Sequence, residues 1–430
     1  MTSFRHPGTV LTDHTFLVPL DHARPDGEQI EVFAREVVAA GKAGRADRLP
    51  WLVFLQGGPG FAAQRPVGRE SWLDRALDDY RVLLVDQRGT GRSSRITARS
   101  LAGLGPGRAQ AEYLALFRAD AIVLDAELIR RELAGGEPWS VLGQSFGGFC
   151  AVTYLSFAPH GMREALITGG LPGLDTRADD VYRITYRRVA AKNAAHYSRY
   201  PEDESRARAI ARYLAEHAVR LPGGAPLTVE GFQAIGGMLG SGTGSHELHY
   251  LLENPFDGDG GLSDAFLWDV ARRVSFAAAP LYAVLHEACY AQGAATGWAA
   301  QRVRAEFPEF GAAAALAGDA PLYFTGEMVY PWMVDLDPAL RPLREAADLL
   351  AAREDWPALY DPARLAACEV PAAAAVYYDD MYVPVELSAR TAARIRGLRP
   401  WVTSEYEHDG LRVSGGKVLG RLIAMNRGEV

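Results

Sequence analysis

A serine set between two glycines is the feature that most limits how this chain can fold. The motif is Gly143-Gln144-Ser145-Phe146-Gly147, and it follows the short, mostly apolar run 139–142. Such a Gly-x-Ser-x-Gly pattern is typical of a sharp turn from a strand into a helix, where the hydroxyl projects from the sheet and the glycines avoid clashes. It predicts that Ser145 is a nucleophile. A nucleophilic serine requires a histidine base, an acid, and backbone donors for an oxyanion.

The remainder of the chain offers one candidate base and two candidate acids. In an α/β hydrolase the acid and the histidine follow the serine in that order, and His408 is the only histidine in the last third of the chain. Residues 371–378 are predicted to form a buried strand that ends at Asp379 and Asp380, at the sheet edge where open α/β folds keep their sites. We favour Asp380 because it lies four residues before Pro384, a spacing found in many such hydrolases, and Asp379 is the alternative.

Backbone donors are expected from a glycine-rich turn nearer the start of the chain. The apolar run 50–55 is typical of a central parallel strand, and it ends at Gln56-Gly57-Gly58-Pro59-Gly60. Glycine backbone can approach a ligand without obstruction. We therefore expect the N–H of Gly57, with Gly58 as the alternative, to join the N–H of Phe146 in holding an oxyanion. A simple tight turn would explain this cluster alone, but not its pairing with the serine motif.

A further glycine-rich segment follows the predicted strand 80–85. Residues 86–94 read Asp-Gln-Arg-Gly-Thr-Gly-Arg-Ser-Ser, which matches neither a phosphate-binding loop nor a dinucleotide-binding loop. We expect Asp86 and Arg88 to hydrogen-bond and to brace the neighbouring strand ends. This segment is predicted to support the site and to take no part in the chemistry.

Together these segments resemble the prolyl iminopeptidases, most closely the larger bacterial type. Residues 56–60 resemble the His-Gly-Gly-Pro-Gly box of that family, 86–93 its Asp-Gln-Arg-Gly-x-Gly-x-Ser box, and 143–147 its Gly-Gly-Ser-Trp-Gly elbow. Two departures stand out: Gln56 replaces the box histidine, and Phe146 replaces the tryptophan after the nucleophile. Both would line the site, and neither alters the backbone donors.

The resemblance implies a serine aminopeptidase that releases N-terminal proline from small peptides. Acyl transfer through a Ser-His-Asp triad needs neither a metal nor an organic cofactor. The serine motif alone is shared with esterases, amidases and thioesterases, so a hydrolase of that kind with no free-amine requirement is the alternative. A non-catalytic binding protein on this scaffold is disfavoured, because every role in the triad has a suitable residue.

The spacing of the motifs predicts how the chain is organised. Residues 12–40 are predicted to form a strand pair, turning at 25–27, that makes the antiparallel edge of the sheet. We expect an α/β-hydrolase fold whose core, 1–175 and 366–430, has a mostly parallel central sheet with helices on both faces. The segment 176–365, rich in helix formers, Tyr and Trp, is predicted to form an inserted helical cap domain that covers the site.

Recognition of a free amino terminus requires acceptors in an otherwise apolar pocket. Glu327 stands among apolar and aromatic residues and is the first candidate. The resemblance also places it near the ammonium-binding glutamate of the family. Glu287 is the second candidate and Glu253 the third. For each of them, a structural salt bridge or a solvated position on a helix is the alternative.

No metal site is predicted from the histidines of the segment 176–365. Three of them lack the paired spacing and the acid partner of a zinc motif, so structural roles are expected: these are His246, His249 and His286. Three cysteines cannot all pair, which favours free thiols and a cytoplasmic location: these are Cys150, Cys289 and Cys368.

Composition excludes some classes of partner. With 48% hydrophobic and 23% charged residues, the chain has the balance of an ordinary globular protein. A formal net charge of −8 argues against nucleic acid or an anionic membrane as the main partner. No apolar run approaches the ~18 residues of a membrane span. The sequence predicts no particular oligomeric state.

Overall fold

A mixed sheet forms the centre of the molecule in the computed structural model, which describes residues 2–318 and 320–430. The strands are β1 (Thr2–His6), β2 (Thr9–Pro19), β3 (Gln29–Ala39), β4 (Trp51–Leu55), β5 (Arg81–Asp86), β6 (Trp139–Gln144), β7 (Met162–Thr168), β8 (Ala372–Tyr377) and β9 (Leu398–Thr403). They lie in the order β1-β2-β3-β5-β4-β6-β7-β8-β9. The pairs β1–β2, β2–β3 and β3–β5 are antiparallel. All the other neighbouring strands in this order are parallel.

Helices surround this sheet and fill the long connection between β7 and β8. The α-helices before that connection are α1 (Ser71–Ala76), α2 (Ala98–Leu101), α3 (Arg108–Leu114), α4 (Ala119–Ala134) and α5 (Phe146–Phe157). Those within it are α6 (Ala178–Arg199), α7 (Glu202–Glu216), α8 (Val229–Gln233), α9 (Gly244–Leu252), α10 (Asp264–Val274), α11 (Pro280–Leu285), α12 (Ala299–Arg304), α13 (Ala312–Leu316), α14 (Pro331–Leu336), α15 (Arg344–Ala352) and α16 (Pro362–Ala367).

The C-terminal part adds three α-helices, and short 3-10 helices occur along the chain. The C-terminal helices are α17 (Val385–Ala392), α18 (Gly410–Val413) and α19 (Lys417–Asn426). The 3-10 helices are Ala40–Arg48, Ala102–Leu104, Ala115–Phe117, Pro159–Gly161, Ala234–Gly240, Glu287–Tyr290, Pro308–Phe310 and Arg341–Leu343.

The central strands are buried on both faces, which explains their continuous apolar sequences. Successive side chains of a strand point to opposite faces. In β4, Val53 and Leu55 belong to one core cluster, whereas Leu52 and Phe54 belong to a second cluster that includes α1 and α19. Strands covered on both faces are nearly all apolar rather than alternating. The prediction of parallel strands at 50–55 and 371–378 is confirmed.

The predicted hairpin is present, but it does not by itself form the edge of the sheet. β2 and β3 pair antiparallel from Thr9 opposite Ala39 to Pro19 opposite Gln29. A further strand, β1, pairs outside β2, so the outermost position belongs to Thr2–His6. The sequence analysis missed β1 because it is short and only partly buried, and therefore carries little apolar signal.

The long connection is helical where the sequence predicts a cap. Helices α6 to α16 lie between β7 and β8. Their apolar residues are continuous with one core cluster of the sheet, so this region packs directly on the core. The domain limits 176 and 365 stay predictions.

Two further expectations concern cysteines and membranes. Each of the three cysteines is a buried free thiol, as predicted. Within residues 2–318 and 320–430, no helix is both long enough and apolar enough to span a bilayer.

Candidate active site

Ser145 occupies a strained turn between β6 and α5. Its φ of 56° and ψ of −125° lie in a region that non-glycine residues rarely adopt. The flanking glycines are required by close backbone packing, since a Cβ on Gly147 would overlap the carbonyl oxygen of Leu55 and one on Gly143 would overlap that of Gly147. The chain therefore turns sharply here and holds the serine side chain at the carboxyl end of the sheet. Ser145 is 8% exposed.

The two other candidate triad residues meet at the same edge. Asp380 follows β8 and His408 follows β9, and the Oδ2 atom of Asp380 lies 2.6 Å from Nδ1 of His408. The second oxygen of Asp380 accepts the backbone N–H groups of Tyr382 at 2.8 Å and Val383 at 3.0 Å. Asp380 is fully buried, so these bonds fix its carboxylate against the imidazole.

The loop after β7 joins the histidine to the serine. The N–H of Ser145 donates to the carbonyl of Thr168 at 3.0 Å. A Cβ on Gly169 would lie 3.1 Å from Nδ1 of His408, and one on Gly170 would lie 2.5 Å from the carbonyl oxygen of Ser145. The nucleophile turn and the imidazole therefore pack against the same two glycines.

The electrostatic surroundings favour the protonated form of His408. Burial alone would lower the pKa of His408, but the charge of Asp380 and the hydrogen bond to it outweigh burial, and Glu327 adds to their effect. The pKa of His408 is therefore raised above its usual value. An imidazole held in this way is well suited to accept a proton during a reaction.

The glycine-rich turn after β4 lies directly beside the nucleophile. A Cβ on Gly57 would come within 2.9 Å of the Cβ of Ser145, so only glycine lets the backbone approach this closely. Phe146 is the first residue of α5, and the first N–H groups of a helix have no intrahelical acceptor. The backbone at Gly57 and Phe146 thus flanks Ser145 from two sides, where an oxyanion would require donors.

Asp86 and Arg88 have the supporting role that the sequence predicts. Arg88 is 1% exposed, and it donates to the carbonyls of Pro19 at 3.0 Å and Leu20 at 2.8 Å, at the end of β2. Asp86 accepts the backbone N–H of Ala63 at 3.1 Å. These contacts brace neighbouring loops and strand ends.

Glu327 is linked to the glycine-rich turn through Tyr282. It accepts a hydrogen bond of 2.8 Å from the hydroxyl of Tyr282 in α11. The backbone of Tyr282 packs against that turn, because a Cβ on Gly60 would lie 2.6 Å from the Tyr282 nitrogen. Since its charge also acts on His408, this half-buried carboxylate faces the region of the triad.

The other two candidate glutamates have different surroundings. Glu287 is 7% exposed, and its two oxygens accept the backbone N–H groups of Ala299 and Ala300, each at 2.9 Å. Burial raises the pKa of Glu287, although those N–H groups act the other way. Glu253 is exposed and lies 3.4 Å from His249. Glu287 holds the start of α12 and Glu253 lies on the surface, which favours the structural alternative for both. Their substrate-binding roles stay predictions.

The sequence analysis missed two tyrosines at the site. Tyr282 holds Glu327, and the ring of Tyr382 packs edge-to-face on His408, with centroids 4.8 Å apart. The hydroxyl of Tyr382 donates to the carbonyl of Gly237. The position of Tyr382, two residues after the acid, was a usable signal, whereas nothing in the sequence distinguishes Tyr282 from the other tyrosines of the cap.

Comparison with known proteins finds relatives that match nearly the whole chain. The family model described as alpha/beta hydrolase fold matches residues 50–220. A proline iminopeptidase from Aeromonas sobria is 51% identical over 415 residues, which cover 96% of each chain. A proline iminopeptidase from Aspergillus aculeatus is 37% identical over 435 residues, covering 99% of this chain and 95% of the relative. Among solved structures, an esterase from Thermogutta terrifontis matches 97% of this chain and all of its own, at 12% identity and a TM-score of 0.43.

Proposed function

Since the chain belongs to the proline iminopeptidase family of α/β hydrolases, we propose that it is a serine aminopeptidase that releases N-terminal proline from peptides. The observation that carries the assignment of residues is the 2.6 Å contact between Asp380 and His408, at the sheet edge that also bears the strained Ser145. Two loops distant in sequence thus meet at the sheet edge that carries Ser145, which supports the assignment of these three residues as the triad.

The reaction is acyl transfer in two steps. Ser145 Oγ attacks the carbonyl carbon of the N-terminal residue while His408 Nε2 takes the hydroxyl proton. The C–N bond then breaks, and the leaving amine takes that proton from the imidazolium. A water molecule, deprotonated by His408, attacks the acyl-enzyme. The ester bond to Ser145 then breaks as His408 returns the proton to Oγ, and free proline is released. Asp380 keeps the proton on Nδ1 and stabilises the imidazolium.

Stabilisation of the oxyanion is assigned to the backbone on either side of the nucleophile. The N–H groups of Gly57 and Phe146 would point at the negative charge that develops on the carbonyl oxygen. Removing a single donor of this kind typically costs about 10²–10³ in turnover. The close approach of Gly57 to Ser145 supports this role.

Recognition of the amino terminus is assigned to Glu327. The charged amine of proline is a secondary ammonium with two N–H groups, and a carboxylate is its strongest acceptor. Tyr282 donates to one oxygen of Glu327, and the other oxygen would accept from the substrate ammonium. Phe149 and Tyr290, whose rings pack 6.1 Å apart, continue from Phe146 and supply apolar surface that suits the pyrrolidine ring.

The test compares proline p-nitroanilide with its N-acetylated form and with alanine p-nitroanilide. The wild-type enzyme should cleave the free proline compound and leave the acetylated one intact, because the acetyl group removes the ammonium. Glu327→Gln should lower kcat/KM for the free compound by about 10- to 150-fold, the equivalent of a charged hydrogen bond of about 1.5–3 kcal/mol. Equal cleavage of the acetylated compound would instead identify a general amidase or esterase.

The proposal also includes the domain limits and the cellular location. We keep the division into a core at 1–175 and 366–430 and a cap at 176–365, which the helical connection between β7 and β8 supports. A cytoplasmic location is supported by three buried free thiols, since free cysteines are usual in reducing compartments.

A further inference from the structure

A cavity of about 230 Å³ lies at the carboxyl edge of the sheet, on the face that α1 and α19 cover. Part of its lining is apolar and belongs to the core cluster of that face, including Phe54 and Trp72. The polar part of the lining includes the side chains of Gln56, Gln144 and Arg412. Pockets for drug-sized ligands have volumes of ~300–1,000 Å³, so a cavity of this size suits a shorter molecule.

The cavity adjoins the nucleophile. Gln144 directly precedes Ser145, and Gln56 directly precedes Gly57 of the glycine-rich turn. A Cβ on Gly57 would lie 2.9 Å from the Cβ of Ser145 and 3.1 Å from Oε1 of Gln144. The same glycine therefore packs against both the nucleophile and the wall of the cavity, and its missing side chain leaves room between them.

Gln144 presents an unpaired amide to this cavity. It is 5% exposed, and within residues 2–318 and 320–430 its side chain makes no hydrogen bond. Buried side-chain amides are nearly always paired, because an unmet donor or acceptor is costly. An amide side chain has both a donor and an acceptor, and a peptide bond has the same two groups. A segment of peptide in the cavity would therefore satisfy Gln144.

Arg412 adds an unpaired positive charge to the lining. It is exposed, and within the described part of the chain its guanidinium has neither a salt bridge nor a hydrogen bond. It lies close enough to His408 for its charge to lower the pKa of the imidazole, against the larger effects that raise it. The other guanidinium of the lining, that of Arg65, is already bound to Asp86 at 2.8 Å. Arg412 is therefore the cation available to an anionic ligand, and a guanidinium can bind a carboxylate through two parallel hydrogen bonds.

The chemistry of the reaction directs the leaving peptide toward the loop that carries Arg412. The leaving amine takes its proton from His408, so the chain beyond the cleaved bond must begin beside that imidazole. Arg412 belongs to α18, which begins two residues after His408. An extended chain advances by ~3.3–3.6 Å per residue, so the length of the leaving segment decides whether its terminal carboxylate meets a guanidinium at a fixed position.

We propose that this cavity is the subsite for the leaving segment of a short peptide, and that Arg412 pairs with the C-terminal carboxylate of that segment. The inference rests on the proposed aminopeptidase function and adds its substrate class, which is dipeptides and tripeptides with a free carboxyl terminus. Gln144 and Gln56 bond to the peptide groups of the segment. Glu70, an exposed acid that also lines the cavity, opposes a carboxylate, so the attraction has to come from Arg412.

The test measures the release of proline from peptides with one to four glycines after the proline, each with a free and with an amidated carboxyl terminus. For prolylglycine or prolyldiglycine, kcat/KM of the wild type should be about 5- to 20-fold higher with the free carboxylate. This is less than a buried charged hydrogen bond provides, because Arg412 is exposed. The ratio of free to amidated substrate should approach one for the longest peptide, whose carboxylate extends beyond Arg412.

Variants assign the preference to Arg412. Arg412→Gln should reduce the ratio to about 2 or less, Arg412→Lys should keep part of it, and Glu70→Gln should raise it. Because the ratio compares two substrates on one enzyme, any effect of the Arg412 charge on His408 cancels. Lys417→Gln, which removes an exposed charge of α19 outside the cavity lining, is the matched control and should keep the wild-type ratio.

The outcomes separate this inference from the function on which it rests. Equal cleavage of the free and amidated peptides by the wild type, or a wild-type ratio in Arg412→Gln, would overturn the inference while the aminopeptidase function stands. Failure to release proline from every peptide and from proline p-nitroanilide would refute the proposed function, and this inference with it.

Discussion

Replacing Asp380 with asparagine tests the triad through the tautomer of His408. In the wild type, one oxygen of Asp380 accepts the N–H groups of Tyr382 and Val383, and the other faces Nδ1 of His408 at 2.6 Å. The introduced amide has one acceptor and one donor. Its oxygen must stay with the two backbone N–H groups, because an NH₂ there would oppose two donors and cost about 1–3 kcal/mol for each unmet bond.

That orientation determines which ring nitrogen of His408 carries the proton. The NH₂ group of the amide then faces Nδ1 of His408, which must accept, so the ring proton moves to Nε2. A protonated Nε2 cannot take the proton from Ser145. The same substitution in a serine protease triad lowers kcat by about 10⁴ at unchanged geometry, or about 5.5 kcal/mol in activation free energy. We expect a loss of that size for Asp380→Asn.

The assay is kcat for proline p-nitroanilide near pH 7, with circular dichroism and Tm to verify folding. Asp379→Asn is the matched control. Asp379 is the exposed neighbour of Asp380, so kcat should change by about 2-fold or less, as is usual for surface substitutions. The reasoning is refuted if a folded Asp380→Asn enzyme keeps kcat within about 10-fold of the wild type, or if Asp379→Asn loses more activity than it does.

Three further predictions concern the glycine-rich turn, the pH profile and Glu287. Gly57→Ala should lower kcat by about 10²–10³ in steady-state assays of the folded variant, because its Cβ would lie 2.9 Å from that of Ser145 and displace a donor. The acid limb of kcat/KM should have its midpoint above the usual histidine pKa of about 6.5, because the pKa of His408 is raised and the base must be neutral; a pH–rate profile with its midpoint below that value would contradict this. Glu287→Ala should reduce the free energy of unfolding by about 1–3 kcal/mol in urea titrations, because two buried N–H groups lose their acceptor. The preference of that variant for a free amine should be unchanged, and loss of the preference at unchanged stability would restore Glu287 to the binding site.

The sheet and the candidate triad could be predicted because local sequence controls them. The glycines on either side of Ser145 form a recognisable local motif, although Gly147 also packs against Leu55 of β4, and Asp380 follows a strand whose apolar run marks its end. The order of the motifs along the chain then limits the choice of base to His408. Each of these steps depends on only a few neighbouring residues.

The surroundings of residues in the predicted cap could not be inferred in the same way, because their contacts join segments that are distant in the sequence. Glu287 and Glu327 both stand among apolar and aromatic residues in the sequence. The fold gives one of them two backbone N–H groups at the start of α12 and the other a tyrosine hydroxyl from α11. The choice depends on how short helices pack, and helical periodicity carries no information about it.

The same packing joins the helical connection between β7 and β8 to the loops that carry Asp380 and His408. The N–H of His408 donates to the carbonyl of Gly240 at 3.1 Å, and the N–H of Gly242 donates to the carboxylate of Asp409 at 3.2 Å. The hydroxyl of Tyr382, beside the acid, donates to the carbonyl of Gly237. One cap segment, 237–242, thus bonds to the loops that carry both the acid and the base.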